Sequence, residues 1–388
     1  MYEHVLKPVL FRFDPEDVHD FFTRAGEFMG GHGPTEAIVE AMYGYSGPDI
    51  SKTVDGIRYR TPFLLSAGFD YNGRLSRILP HIGLGGEEVG SVTARPCAGN
   101  QKPRLKRLPL SRSIMVNKGL RNDGVDKIIE RLKEIRHDTK VLRTKLSEPS
   151  EARAVAKATE KQVRRQQAAT PVREGELSCH AFVIGISIAR TNDEQSVPIE
   201  AGIADYCYSF RRLNEEGIGH YYTLNISCPN AFGAEAFNSD PTLLDKLLTE
   251  IKKIPCSKPV YVKMPINAAW EHFKELLEVI DKHGLNGVVI GNLNKDYSSL
   301  DVRSEAPAEY HGGLSGKPCE QSSTVLIRKT REHYGNRFTI IGAGGVASPA
   351  SALAKFAAGA DLVQLITGLI YEGPGLVKEM CRAVAAGH

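Results

Sequence analysis

Eight short apolar runs, most of them separated by stretches long enough for a helix, constrain this 388-residue chain more than any other feature. They lie at Pro62–Ser66, Glu87–Val92, Phe182–Ile188, Tyr222–Ser227, Val260–Met264, Gly287–Ile290, Phe338–Ile341 and Leu362–Ile366. Near-continuous apolar strands joined by helices belong to a parallel sheet covered on both faces. Eight of them predict an α/β fold, a closed (β/α)8 TIM barrel. A doubly wound open sheet is the alternative, but no G-x-G-x-x-G follows an early strand to support it.

Residues 1–45 read differently, as two or three short helices forming a small N-terminal subdomain ahead of a barrel over 46–388. Asp14-Pro15-Glu16-Asp17 supplies a cap, a first-turn proline and early acidic residues. Val18, Phe21, Phe22, Ala25, Phe28 and Met29 follow at helical spacing as a wide, Phe-rich stripe. Such a stripe either packs on its own domain or meets a membrane surface or a hydrophobic ligand. A second interruption falls at about 137–178, where the chain is charged, glutamine-rich and poor in large apolar residues. It reads as a solvated helical insertion before the third strand, on the barrel face opposite the chemistry.

Composition excludes more than it selects. A net charge of +3 is too small to argue for nucleic acid, and no run of about 18 apolar residues is present to span a membrane. The N-terminus lacks the basic-then-apolar layout of a secretory signal. Seven cysteines without a C-x-x-C pair suggest a reducing cytosol, and neither a zinc site nor a cysteine-held iron–sulfur cluster. No metal site is expected.

The chemistry should lie where the strands end. The fourth run stops in Asn225-Ile226-Ser227-Cys228-Pro229-Asn230, which packs two carboxamides and a thiol into a buried strand end. Buried polar groups need partners, which a planar amide or a flavin would supply; a capped core strand with an inert cysteine is the plainer reading. Lys263 sits in an apolar run and needs an anionic partner unless it snorkels to the surface. Ala67-Gly68 after the first strand and Gly291-Asn292 after the sixth leave room for a flat ligand. Gly312 to Lys317, Gly342 to Val346 and Leu365 to Gly368 are three glycine-rich turns suited to a phosphate.

Taken together, the Asn-x-Ser-Cys-Pro-Asn, Gly-Gly-Leu-Ser-Gly, Ile-Gly-x-Gly-Gly and Thr-Gly motifs resemble those of dihydroorotate dehydrogenases. Leu10 to Glu16, and Thr93 through Arg104, resemble the membrane-associated, quinone-reducing class. The resemblance implies FMN over Ala67, Gly68 and Ser91, with Ser187 and Gly291 beside it. Asn225 and Lys263 would bond its ring, and Gly316, Gly344, Gly345, Ile366, Thr367 and Gly368 would hold its phosphate. Cys228 takes the position of the base that removes a proton while the neighbouring carbon gives hydride to the flavin. Asn225, Asn230 and Asn292 match the carboxamides that hold the substrate, with Tyr71 and Asn117 at neighbouring substrate positions. The N-terminal helices would form a hood that admits quinone, placing the protein peripherally on the cytoplasmic side of the cell membrane.

Several residues depart from that pattern. Cys228 replaces the serine usual in the quinone-linked class; a thiol, titrating near ~8.5, is the better base at neutral pH. Tyr71 stands where the family has a lysine, Val116 where it has an asparagine, and Leu293 where a hydroxyl residue follows Asn292. Ser187 and Gly291 replace an asparagine and a threonine. Losing the lysine leaves an anionic substrate short of about 1.5–3 kcal/mol of charge-assisted bonding. Lys118 and Arg121 are the cations placed to compensate. The expected activity is FMN-dependent oxidation of dihydroorotate to orotate in pyrimidine biosynthesis. The alternatives are an FMN oxidoreductase for another planar amide or ene compound, and a flavin-binding scaffold without turnover.

Overall fold

The computed structural model describes residues 2–135, 182–228, 230, 236–307 and 312–387. The charged insertion predicted at about 137–178 lies outside the described residues. All eight predicted strands form, at Phe63–Leu65 (β3), Gly86–Val92 (β4), Val183–Ile188 (β7), Tyr221–Asn225 (β8), Val260–Met264 (β9), Gly287–Ile290 (β10), Thr339–Ala343 (β12) and Leu362–Leu365 (β13). Every neighbouring pair is parallel and the sheet closes into a barrel, β10 pairing with both β9 and β12.

A barrel strand alternates between the axis and the helices, so inward residues recur every second position. That rule sorts the interior into layers. Leu64, Val183, Tyr221, Tyr261, Val289, Ile341 and Leu362 pack in one buried cluster with Val54 and Tyr59. Val54 and Tyr59 belong to an antiparallel hairpin, Lys52–Val54 (β1) with Ile57–Tyr59 (β2), which closes the bottom of the barrel. Two residues further along the strands, the inward positions turn polar: Ser66, Glu88, Thr223, Lys263 and Gln364, all buried. Two further still on β8 is Asn225, at the mouth.

The sequence did not reveal a second sheet. Leu105–Leu108 (β5), Ser113–Val116 (β6) and Gly313–Leu314 (β11) pair antiparallel above the barrel. Their runs are too short and mixed to read as strands. They matter because they carry Val116 and the loop to Gly316 over the mouth.

At the N-terminus, Lys7–Leu10 (α1), Pro15–Met29 (α2) and Gly33–Tyr43 (α3) form. Asp14 caps α2 as expected, accepting from the backbone N–H groups of Glu16 at 2.8 Å and Asp17 at 3.1 Å. The Phe-rich stripe is only partly covered: Phe21 and Phe28 of α2, and Ile38 and Met42 of α3, remain more than half exposed. No helix among the described residues is long and apolar enough to cross a membrane.

Candidate active site

The strand ends converge as the barrel geometry requires. One cleft at the mouth is lined by Ala67 after β3, Lys263 of β9, Gly291 and Asn292 after β10, and Gly316 after β11. Gly344, Gly345, Ile366, Thr367 and Gly368, from the ends of β12 and β13, complete it. Ser66 and Gln364 line the floor. Most of the predicted cofactor residues thus share one cavity.

The remaining predicted residues are tied in by hydrogen bonds. Asn225 donates through Nδ2 to Ser91 Oγ at 2.8 Å, and Ser91 pairs with Ser187 Oγ at 2.9 Å. Ser227 donates to the Lys263 carbonyl at 2.8 Å, and Asn292 Nδ2 donates to the carbonyl and hydroxyl of Ser227, both at 2.8 Å. Asn230 Nδ2 holds the Val116 carbonyl at 2.8 Å, while Asn100 bridges the Asn230 carbonyl at 2.9 Å and Asn117 Oδ1 at 3.0 Å. Cys228, between Asn225 and Asn230 in sequence, is half-buried and in no disulfide.

Lys263 is not a snorkelling lysine: it is 5% exposed. The one hydrogen bond of its ammonium among the described residues is a long one, 3.5 Å to Ser66 Oγ. Burial lowers its pKa from the ordinary lysine value, while Glu88 and Cys228 oppose that shift. A cation so placed at the floor of an open cleft calls for an electronegative ligand. Gly344 and Gly345 have φ of +92° and +77°, and successive backbone N–H groups in such a turn form an anion-binding nest. At Gly68 a Cβ would meet only Ile366 Cδ1 at 3.7 Å, so a side chain there would occupy the cleft. The residues present fit a phosphorylated, planar, electronegative cofactor.

Tyr71 turns the other way. Its ring lies 5.1 Å from that of His19 on α2, and the Lys118 ammonium sits 4.7 Å above it. Tyr71, His19, Asp20 and Arg121 help to line a separate cavity of about 410 Å³ beside α2. Next to it is a buried charge cluster, which sequence reasoning missed. Glu16 of α2, 2% exposed, takes Arg104 through both Nε and Nη2 at 2.6–3.1 Å and Arg121 at 2.9 Å, with Lys118 at 3.4 Å. Burial pushes the Glu16 carboxyl up, but Arg104 and Lys118 outweigh this and hold it at about 2. Burial pushes the Lys118 ammonium down to about 8, against the pull of Glu16. The only sequence signal was a clustering of basic residues at Lys102, Arg104, Lys118 and Arg121, with nothing to indicate their common partner. Glu88 was likewise overlooked, although a Glu87-Glu88 pair inside an apolar run was visible.

Comparison with known proteins agrees with this geometry. A family model described as dihydroorotate dehydrogenase matches residues 49–386. A Synechococcus protein named dihydroorotate dehydrogenase (quinone) is 32% identical, covering 100% of this chain and 93% of its own length. Proteins of the same name from Christiangramia forsetii and Methylococcus capsulatus are 32% and 30% identical, covering 98% and 100% of this chain and 97% and 99% of their own lengths. The solved structure of Eimeria tenella DHODH in complex with ferulenol superposes with a TM-score of 0.73 at 22% identity, covering 96% of this chain and 93% of that one, a likeness of fold.

Proposed function

The chain belongs to the dihydroorotate dehydrogenase family, and we propose that it is a quinone-type enzyme that oxidises dihydroorotate to orotate on an FMN held in the cleft above Lys263. The observation that carries this reading is the glycine-lined cleft floored by the buried Lys263, with Asn292 on its wall and Asn225 paired with Lys263 across β8 and β9. Bound FMN supplies a two-electron acceptor for the substrate's hydride.

The protein's own residues do the rest. Cys228, in its thiolate form, takes the proton from the substrate carbon next to the one that loses hydride. Asn225, Asn230 and Asn292 present amide donors and acceptors that complement a flat pyrimidine ring and fix it against Cys228. Lys263 would offset the negative charge of a bound flavin, and the nest at Gly344–Gly345 with Gly316 and Thr367 would hold its phosphate. The open apolar faces of α2, with Phe21 and Phe28, and of α3, with Ile38 and Met42, support a hood that rests on the membrane surface and admits the quinone.

Anaerobic mixing of the purified protein with L-dihydroorotate should bleach the flavin absorbance, and a quinone should restore it. Flavin that stays oxidised with dihydroorotate, yet is reduced chemically, would favour a different substrate.

The setting of Tyr71 yields a second expectation. Tyr71→Lys alone would place a second ammonium beside Lys118, and like charges in a buried cluster repel. The single variant should therefore lose thermal stability. The double variant Tyr71→Lys, Lys118→Met leaves one ammonium in the cluster and should recover it. Thermal unfolding of both variants decides it, and a double variant no more stable than the single one would count against this account of Tyr71.

A further inference from the structure

We propose that Glu88 is the buried counter-charge of Lys263 and thereby sets the reduction potential of the flavin seated on that lysine. The inference rests on the flavin reading above and assigns Glu88 as a positioning residue, acting through Lys263.

The layering of the barrel puts Glu88, Thr223, Lys263 and Gln364 at one level, directly below the cleft. Glu88 is fully buried. Its Oε2 accepts from Thr223 Oγ1 at 2.9 Å, from Gln364 Nε2 at 3.0 Å and, at the limit of reach, from Tyr221 OH at 3.5 Å. The Gln364 amide is oriented by Ser66, whose hydroxyl donates to Oε1 at 3.1 Å, so Nε2 must face Glu88. Three donors thus converge on one oxygen of the Glu88 side chain. Its other oxygen, Oε1, has no hydrogen-bond partner. Beneath this level the barrel is filled by Tyr59, Tyr221, Tyr261 and Leu362, all at 0% exposure, so the charge is not screened by solvent.

Lys263 thus lies between Glu88, linked to it at the same level of the barrel through Ser66 and Gln364, and the cleft above, with Cys228 as the other titratable group acting on it. Reducing a flavin adds negative charge, which a neighbouring cation favours and a neighbouring anion opposes. A carboxylate at Glu88 offsets part of the Lys263 charge and holds the potential low. Glu88→Gln keeps the size and the acceptor oxygen but removes the charge.

Spectroelectrochemical titration of the FMN-loaded protein across pH tests this directly. Glu88→Gln should shift the oxidised–reduced equilibrium at least tenfold toward the reduced form near pH ~6, about 30 mV upward for a two-electron couple. Thr223→Val, which withdraws one donor from Glu88, should move the potential the same way by less, and it serves if Glu88→Gln does not fold. A potential within twofold of the wild-type equilibrium at every pH, in whichever variant folds, overturns the proposal while leaving the flavin reading intact. A wild-type protein that takes up no FMN overturns the flavin reading and this inference with it.

Discussion

Cys228→Ala is expected to slow reduction of the bound flavin by dihydroorotate by about 10²–10⁴-fold, the usual contribution of a positioned general base. Asn225, Asn230 and Asn292 are anchored to Ser91, the Val116 carbonyl and Ser227. Truncating Cys228 should therefore leave the pocket and the flavin in place, so the loss should fall on the chemical step and not on substrate affinity. Cys228→Ser discriminates further. A hydroxyl in that place is what the quinone-linked class ordinarily carries, so part of the rate should return. Its pH profile should move upward, because a hydroxyl gives up its proton far less readily than a thiol. Stopped-flow reduction of the three proteins from about pH 6 to 10 is the measurement. An alanine variant as fast as wild type would mean that another group takes the proton.

The second large effect is expected at Glu16. Replacing it with glutamine leaves Arg104 and Lys118 buried at 7% and 6% exposure without their carboxylate. Breaking a buried ion pair from one side costs about 3–5 kcal/mol. Because Glu16 belongs to α2 and its partners to the barrel loops, that cost falls on the docking of the hood. Glu16→Gln should therefore lose most of its quinone reduction while keeping flavin and its reduction by dihydroorotate. Backbone hydrogen exchange over Pro15–Met29 should rise with no matching rise in β8 or β9. Quinone turnover at the wild-type rate would show that the hood's docking does not depend on this cluster.

The same cluster sets a pH dependence. The Glu16 carboxyl is held at about 2 in the folded protein, below its ordinary value of 4.5. A carboxylate depressed in this way stabilises fully above the unfolded value, and its contribution is lost as pH falls from about 4.5 toward about 2. Hood docking should accordingly hold at neutral pH and weaken only in that acid window.

Two small-scale comparisons show where sequence reading succeeds and where it stops. The eight barrel strands were legible because each is an apolar run ended by glycine, proline or a polar residue; β8 and β12 moved most, β8 running over Tyr221–Asn225 rather than Tyr222–Ser227 and β12 over Thr339–Ala343 rather than Phe338–Ile341. The hairpin Lys52–Tyr59 and the sheet of β5, β6 and β11 were not legible. Their strands are two to four residues long, too short for a period to emerge.

What the sequence determined by itself was the barrel, the strand ends that carry the chemistry, and the capped, Phe-rich helix before them. These depend on local signals: runs of apolar residues, turn residues after them, and a cap three residues from its targets. What only the tertiary structure decided was which buried polar residues face one another. The strands are covered on both faces, so every residue of β8 and β9 is buried and no alternation in the sequence says which side chains point to the axis. Closing the barrel resolves that ambiguity, setting Glu88 and Gln364 together 276 positions apart and bringing them to the level of Lys263. The charge cluster arises in the same way, with Glu16 and Arg104 meeting across 88 positions. Ion pairs and hydrogen bonds act over a few ångströms of space, and separation along the chain carries no record of them until the fold has placed both partners.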